Sequence, residues 1–299
     1  MKKDFNKTGP IKPDSVLNVE KESELMTFLI ELLPGKSRQN IKSLLTNKQI
    51  EVNGLQSSKY NHKLKPGDKV RVKWMRLPET KSFRGFSIVF EDEHLIVIDK
   101  HAGILSVATE GEREHTAYNF LKTHVKRDDP SNKIFIVHRL DRETSGLMVF
   151  AKSEQVQRQF QDDWKGVVTE RSYVAIVEGV MDQPEGEISS YLHENNAHVV
   201  FSSQNPNGGK KAVTHYRVLK TNSQYSMLEV KLDTGRKNQI RVHMQDAGHP
   251  IINDKKYGSK LNLIGRLGLH SKVLAFVHPI TKQPYRFSTP LPRKFSRLF

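Results

Sequence analysis

The stretch Ile134-Phe-Ile-Val-His-Arg-Leu-Asp-Arg-Glu-Thr-Ser-Gly-Leu-Met-Val-Phe-Ala-Lys152 decides how the rest of the chain is read. Two apolar runs, 134–137 and 147–151, bracket a polar loop. Each run is short and rich in branched side chains, as expected for a buried strand. The loop carries Asp141 between Arg139 and Arg142. Neighbouring cations favour an ionised carboxylate, and a group set at strand ends is rigidly supported. That combination suits a nucleophile or a general base. A second reading stays open from spacing alone: a structural ion pair at a turn, with Gly146 present for its backbone freedom.

Outward from this loop, strands dominate. Residues 86–90 and 95–98 form apolar runs around a polar turn, which predicts a hairpin. Further strands are expected at 171–178, at the alternating Ala212, Thr214, Tyr216 and Val218, at 227–232, and around 273–277 and 285–287. Helices are expected at 154–164 and at 236–247, the latter with Ile240, His243 and Met244 on one side. Strands outnumber helices and do not alternate with them. The fold class is therefore α+β with a mainly antiparallel mixed sheet, not a doubly wound one.

The front of the chain differs in character. Leu25, Phe28, Leu29, Leu32 and Leu33 share one helical stripe, which Pro34-Gly35 ends. Ser37 is placed to cap a second helix with Ile41, Leu44 and Leu45 on its apolar side. A short strand at 50–52 meets the turn pair Asn53-Gly54, and Lys65-Pro66-Gly67-Asp68 leads into another strand at 70–72. Residues 1–20 show no periodic pattern and read as a flexible arm; 76–84 read as a linker.

Charge marks the same division. The 299 residues hold 48 Lys and Arg against 33 Asp and Glu, a net of +15 with a pI near 9.7. Residues 1–80 carry 16 basic and 9 acidic side chains, so the smaller part is the denser in charge. Within 34–76 lie 11 basic groups opposed only by Glu51 and Asp68. A solvated face normally mixes signs, so this one-sided segment reads as a phosphate-facing surface.

Other classes drop out. There is no cysteine, hence no disulfide framework, thiolate nucleophile or cysteine-based metal site. Mean hydropathy is −0.59 and no apolar run approaches the ~20 residues of a membrane helix. The opening MKKDFNKTGPIKPDS lacks a secretory apolar core, so a cytoplasmic protein is expected. Phosphate-binding P-loop, zinc-binding H-E-x-x-H, G-x-S-x-G and dinucleotide G-x-G-x-x-G patterns are missing. Neither a metal nor a cofactor is expected.

HRLDRETSGLMVFAKS closely resembles the signature loop of the A family of pseudouridine synthases, the bacterial enzymes of large-subunit rRNA and tRNA. EDEHLIVIDKHAGI, TERSYVAIVEG, TGRKNQIRVHMQDAGHPIINDKKYG and RLGLHSKVLAFVHPITKQPYRFSTPLP resemble the family's other segments in order, so the likeness spans about 86–292. His101, Asn238 and the pair Glu170-Arg171 depart from the family's usual residues. Residues 21–74 resemble the RNA-binding module first seen in ribosomal protein S-four. The resemblance implies a flexible arm (1–20), an RNA-binding module (21–75), a linker (76–84) and a pseudouridine synthase catalytic domain (85–299). It implies uridine isomerisation in RNA, with Asp141 as the catalytic carboxylate, Tyr173 stacking on uracil and Arg241 pairing bidentately with Asp141. Arg236 competes with Arg241 for that pairing. Arg139 is assigned to the space left by a flipped base or to phosphate, and Ser37, Arg38, Lys42 and Lys48 to RNA phosphates. The expected partner is rRNA, with tRNA second, and the expected state is a monomer. A non-catalytic RNA-binding or ribosome-assembly factor on the same fold is the rival reading.

Overall fold

The computed structural model describes residues 15–46, 49–72, 82–83, 85–127 and 129–299. The chain divides into two compact units, Met1–Pro78 and Glu79–Phe299.

In the first unit β1 (Ser15–Asn18), β2 (Ser23–Glu24), α1 (Leu25–Leu32), α2 (Arg38–Thr46), β3 (Ile50–Val52), β4 (Leu55–Gln56), β5 (Lys63–Leu64) and β6 (Lys69–Val72) follow in order. Four strands form a sheet in the order β1-β6-β3-β4. Leu25, Phe28 and Leu29 of α1 and Ile41 and Leu45 of α2 pack with Ile50, Val52, Val70 and Val72 into a small core of its own. Ser37 caps α2 as expected: its Oγ accepts the Asn40 N–H at 3.2 Å. Leu32 departs from the predicted stripe and is 44% exposed, because α1 stops there and only Leu33 turns inward. The arm needs a correction. Residues 15–18 pair with β6 from Ser15–Val72 to Asn18–Lys69, and Val19 is buried. Four residues are too few to show periodicity; the strand exists because a partner strand satisfies it.

The second unit holds β7 (Ser82–Phe83), β8 (Phe86–Glu91), β9 (Leu95–Lys100), α3 (Ala117–Val125), β10 (Phe135–Ile136), β11 (Ser145–Ala151), α4 (Glu154–Asp162), α5 (Trp164–Val167), β12 (Val168–Glu178), β13 (Glu185–Glu194), β14 (Val200–Ser203), β15 (Lys210–Thr221), β16 (Tyr225–Leu232), α6 (Gln239–Asp246), β17 (Leu269–Val277), β18 (Pro284–Ser288) and α7 (Arg293–Ser296). Its strands form one mixed sheet in the order β14-β13-β15-β16-β12-β17-β11-β9-β8-β7, with β10 on β11 and β18 on β17. Among the described ladders, only β11 and β17 run parallel. Ser82 and Phe83, assigned to the linker, pair with β8, and the Phe83 ring stacks on Phe86 at 4.9 Å.

The sheet buries both faces at its centre, which explains the unbroken apolar run of β11, all seven residues buried. One face carries Ile96, Ile98, Met148, Phe150, Tyr173 and Val230 beneath Leu121 of α3 and Ile240 of α6. The other carries Leu95, Val97, Leu147 and Val149 against Val156 and Phe160 of α4. The helix expected at 154–164 breaks at Asp163, whose carboxylate caps α5 by accepting the Gly166 N–H at 3.0 Å. The helix expected at 236–247 begins only at Gln239, because Asn238 turns into the left-handed region (φ 55°). This leaves residues 236–238 outside the helix, as a lip that lines the cleft.

Candidate active site

Asp141 lies on the loop from β10 to β11, fastened at three points. Leu140 and the Ser106 hydroxyl exchange hydrogen bonds at 2.7 and 3.1 Å. The Arg142 carbonyl accepts from the Gly103 N–H at 2.9 Å and from Lys100 Nζ at 3.0 Å. The Thr144 N–H closes the turn onto the Asp141 carbonyl. Lys100 is wholly buried, and its Nζ also donates to the carbonyls of His101 and Ile104. Burial pushes its pKa down to about 7, with the charges of Asp141 and Glu143 pulling the other way. Gly146, at φ +111°, pairs with Ser271 in the parallel ladder to β17; a Cβ there would sit 2.1 Å from the Ser271 carbonyl oxygen. It answers a close backbone approach as well as a torsion.

Asp141, Arg139, Tyr173 and Arg241 line a single cleft of about 200 Å³, with Arg171, Arg236 and Lys237 on its walls. Asp141 is the sole acid among those lining residues. Tyr173, 6% exposed, is set by β12 between β16 and β17, beside a register irregularity at Ser172–Tyr173. Arg236 points elsewhere than expected: its Nε donates to the Lys211 carbonyl, and its backbone N–H donates to Gln239 Oε1.

The Arg241–Asp141 pairing needs a correction. The fork of Arg241 is occupied by Asp254, with Nε and Nη2 donating at 2.7 and 2.8 Å. Only Nη1 reaches Asp141, at 3.4 Å, while also facing Asn238 Oδ1 at 3.2 Å. The guanidinium lies 4.8 Å over the Tyr257 ring, whose hydroxyl accepts from Asn238. Burial works against the Arg241 charge, but the Asp254 hydrogen bonds and charge, joined by Asp141, hold its pKa above the ordinary arginine value. Asp254, Asn238 and Tyr257 thus aim one N–H at Asp141. The sequence carried this signal only as INDKKYG inside a longer likeness.

His138 takes no part in the cleft. Its Nε2 accepts the Val149 N–H at 3.1 Å and its ring meets Trp164 edge-on. Burial and then the Arg171 charge lower its pKa to about 3, so it stays neutral. In the first unit, Arg38 and Lys42 are exposed on α2 and Ser37 precedes it. Lys48 lies outside the described residues.

A cation-walled cleft around one carboxylate, over the central strands of a mixed sheet, is the site of an enzyme that handles a polyanion. The chain belongs to the RNA pseudouridylate synthase family: the family model of that description matches residues 94–246. It is 31% identical over 291 residues to the Bacillus subtilis protein described as uncharacterized RNA pseudouridine synthase YhcT, covering 95% of each chain. It is 30% identical to ribosomal large subunit pseudouridine synthase D of Xylella fastidiosa, covering 90% of this chain and 86% of that one. Among solved structures, human RNA pseudouridylate synthase domain containing 4 superposes with a TM-score of 0.58 at 25% identity, over 71% of this chain and 90% of that one. The protein is a pseudouridine synthase on an α+β fold. Among the described residues no helix is long and apolar enough to cross a membrane.

Proposed function

We propose that this synthase isomerises uridines of large-subunit ribosomal RNA, with Asp141 as the carboxylate that acts on the flipped-out nucleotide. The observation that carries the reading is the placement of Asp141: alone among cations, on a loop pinned by Lys100 and Ser106, and addressed by an Arg241 whose orientation Asp254 sets. The RNA target follows the name of the large-subunit relative. In the reaction the N1–C1′ bond breaks, the uracil turns, and C5 bonds to C1′. C5 gives up its hydrogen and N1 ends with one, so nothing is oxidised and no atom is added. A stacked uridine does not reach a cleft, so the base leaves its helix first, at a cost of about a few kcal/mol. Tyr173 supplies the flat wall for the uracil, and Arg139, exposed at the rim, fills the space it vacates. In the first unit, the module of 21–75 holds the RNA through Ser37, Arg38, Lys42 and Lys48.

RNA tritiated at uridine C5 tests this directly. The protein should release tritium from large-subunit rRNA taken from cells lacking the gene, and Asp141→Asn should stop release while leaving RNA binding intact. Release by the variant at the normal rate would remove Asp141 from the chemistry. Release from tRNA alone would redirect the target.

A further inference from the structure

We propose that Arg171 is a substrate-binding residue that holds a phosphate flanking the flipped uridine. The proposal rests on the reading of the Asp141 cleft as the uridine site.

Arg171 enters on β12 two positions before Tyr173 and lines the same cleft as Asp141. Three contacts hold its guanidinium before any ligand arrives. It lies 5.4 Å over the Trp164 ring, its Nη2 donates to the Thr234 carbonyl at 3.0 Å, and the Gly235 backbone passes directly against it. A Cβ at Gly235 would stand 2.9 Å from Nη1 and 3.1 Å from Nη2. Gly235 has no positive φ to account for it, so the room it leaves is for this side chain.

The remaining donors are unassigned. Nε is buried with no hydrogen-bond partner, and Nη1 has none among the described residues. No carboxylate lies within ion-pair distance of Arg171 among the described residues, in contrast to Arg241 on Asp254 and Lys237 on Glu194. Nε is sealed from the cleft, so the donors a ligand can reach are those of Nη1 and Nη2, and on a cation at a cleft wall with no carboxylate beside it an anionic oxygen supplies the missing partner. The adjacent His138, neutral and bonded to Val149, offers none. A guanidinium fork matches phosphate oxygens two at a time, and one already immobilised by stacking loses little freedom on binding. The target nucleotide brings a phosphate on either side of the ribose, within the same cleft as its base.

The test uses the full-length protein and three small probes, followed by NMR titration at low salt: uridine, uridine 3′-monophosphate and uridine 5′-monophosphate. One monophosphate should bind about tenfold more tightly than uridine, as charge-assisted hydrogen bonds allow. Which isomer wins identifies the phosphate. Arg171→Met should erase the preference, and Arg171→Lys should keep part of it. Gly235→Ala displaces the guanidinium while retaining its charge, and should also reduce the preference. This variant keeps the proposal testable if Arg171→Met fails to fold. An equal preference in Arg171→Met and the unaltered protein overturns the proposal. So does the failure of both isomers to bind more tightly than uridine. Tritium release by Asp141→Asn is a separate readout, so a cleft that is not the uridine site is recognised independently of these titrations.

Discussion

Arg241 has five N–H donors and two carboxylates to serve, and the division between them governs the cleft. Asp254, 1% exposed, takes two donors and leaves Asp141, 27% exposed, a single long contact. A loosely held carboxylate is free to engage substrate; a tightly clamped one is not. Asp254→Asn should therefore lower kcat by about 100-fold through misplacement of Arg241, with KM little changed. Removing the buried charge partner should also destabilise the fold by about 3 kcal/mol in urea titrations. A wild-type kcat in a folded Asp254→Asn variant would show that Arg241 needs no such anchor. Lys100 supports a second expectation, on pH. Its pKa falls from 10.5 in the unfolded chain to about 7 in the fold. Between these values the unfolded chain holds a proton the folded protein lacks, so stability rises with pH through that window. The urea midpoint should gain more from pH 7 to about pH 9 in the native protein than in Lys100→Met; equal gains would remove Lys100 as the cause. Asp141 and Arg241 were legible in the sequence, but the partner of the fork was not. Spacing says which residues share a helix face, not which of two carboxylates a side chain grasps.

The elements that place the site meet at the parallel junction of β11 and β17, where Ser145–His270 and Gly146–Ser271 pair. The Ser145 hydroxyl lies 2.7 Å from His270 Nδ1 and accepts from Arg266 at 2.8 Å, so the loop end is tied to β17 by side chains as well. Gly146→Ala forces a Cβ into the Ser271 carbonyl at a torsion that L side chains rarely adopt. It should destabilise the protein by about 3 kcal/mol or more, lowering the melting temperature by roughly 2–4 °C per kcal/mol. A variant that melts as the native protein does would mean that the two strands separate freely there. Central strands such as β9, β11 and β12 are readable as apolar runs because both faces are covered. Strands β13 and β14 are not, since β13 alternates exposed polar residues with only Ser190 and Leu192 fully buried. The loss of helix at 236–238 was equally hidden: Gln239 Oε1 accepts from Arg236 N–H and from the Thr234 hydroxyl, holding the lip as a turn.

At the scale of the molecule, packing divides the chain at Pro78–Glu79, and the residues before about 80 are the denser in net charge. Each unit has its own core, so their roles are separable in principle. The first is dense in exposed cations, whereas most cations of the cleft are engaged within the protein: Arg241 with Asp254, Lys237 with Glu194, Arg236 with the Lys211 carbonyl. Binding strength and chemistry should then respond differently to removal of the first unit. Deleting residues 1–78 should leave tritium release intact at saturating RNA while raising KM. It should also flatten the dependence of RNA affinity on salt. Each phosphate contact contributes a log–log slope of about 0.7 to 0.9, so loss of the three cations Arg38, Lys42 and Lys48 predicts a decrease of about 2 to 3. An unchanged slope, measured by filter binding across a salt series, would mean that the front charge serves something other than RNA. A slope that falls together with kcat would mean instead that the first unit helps to build the active site.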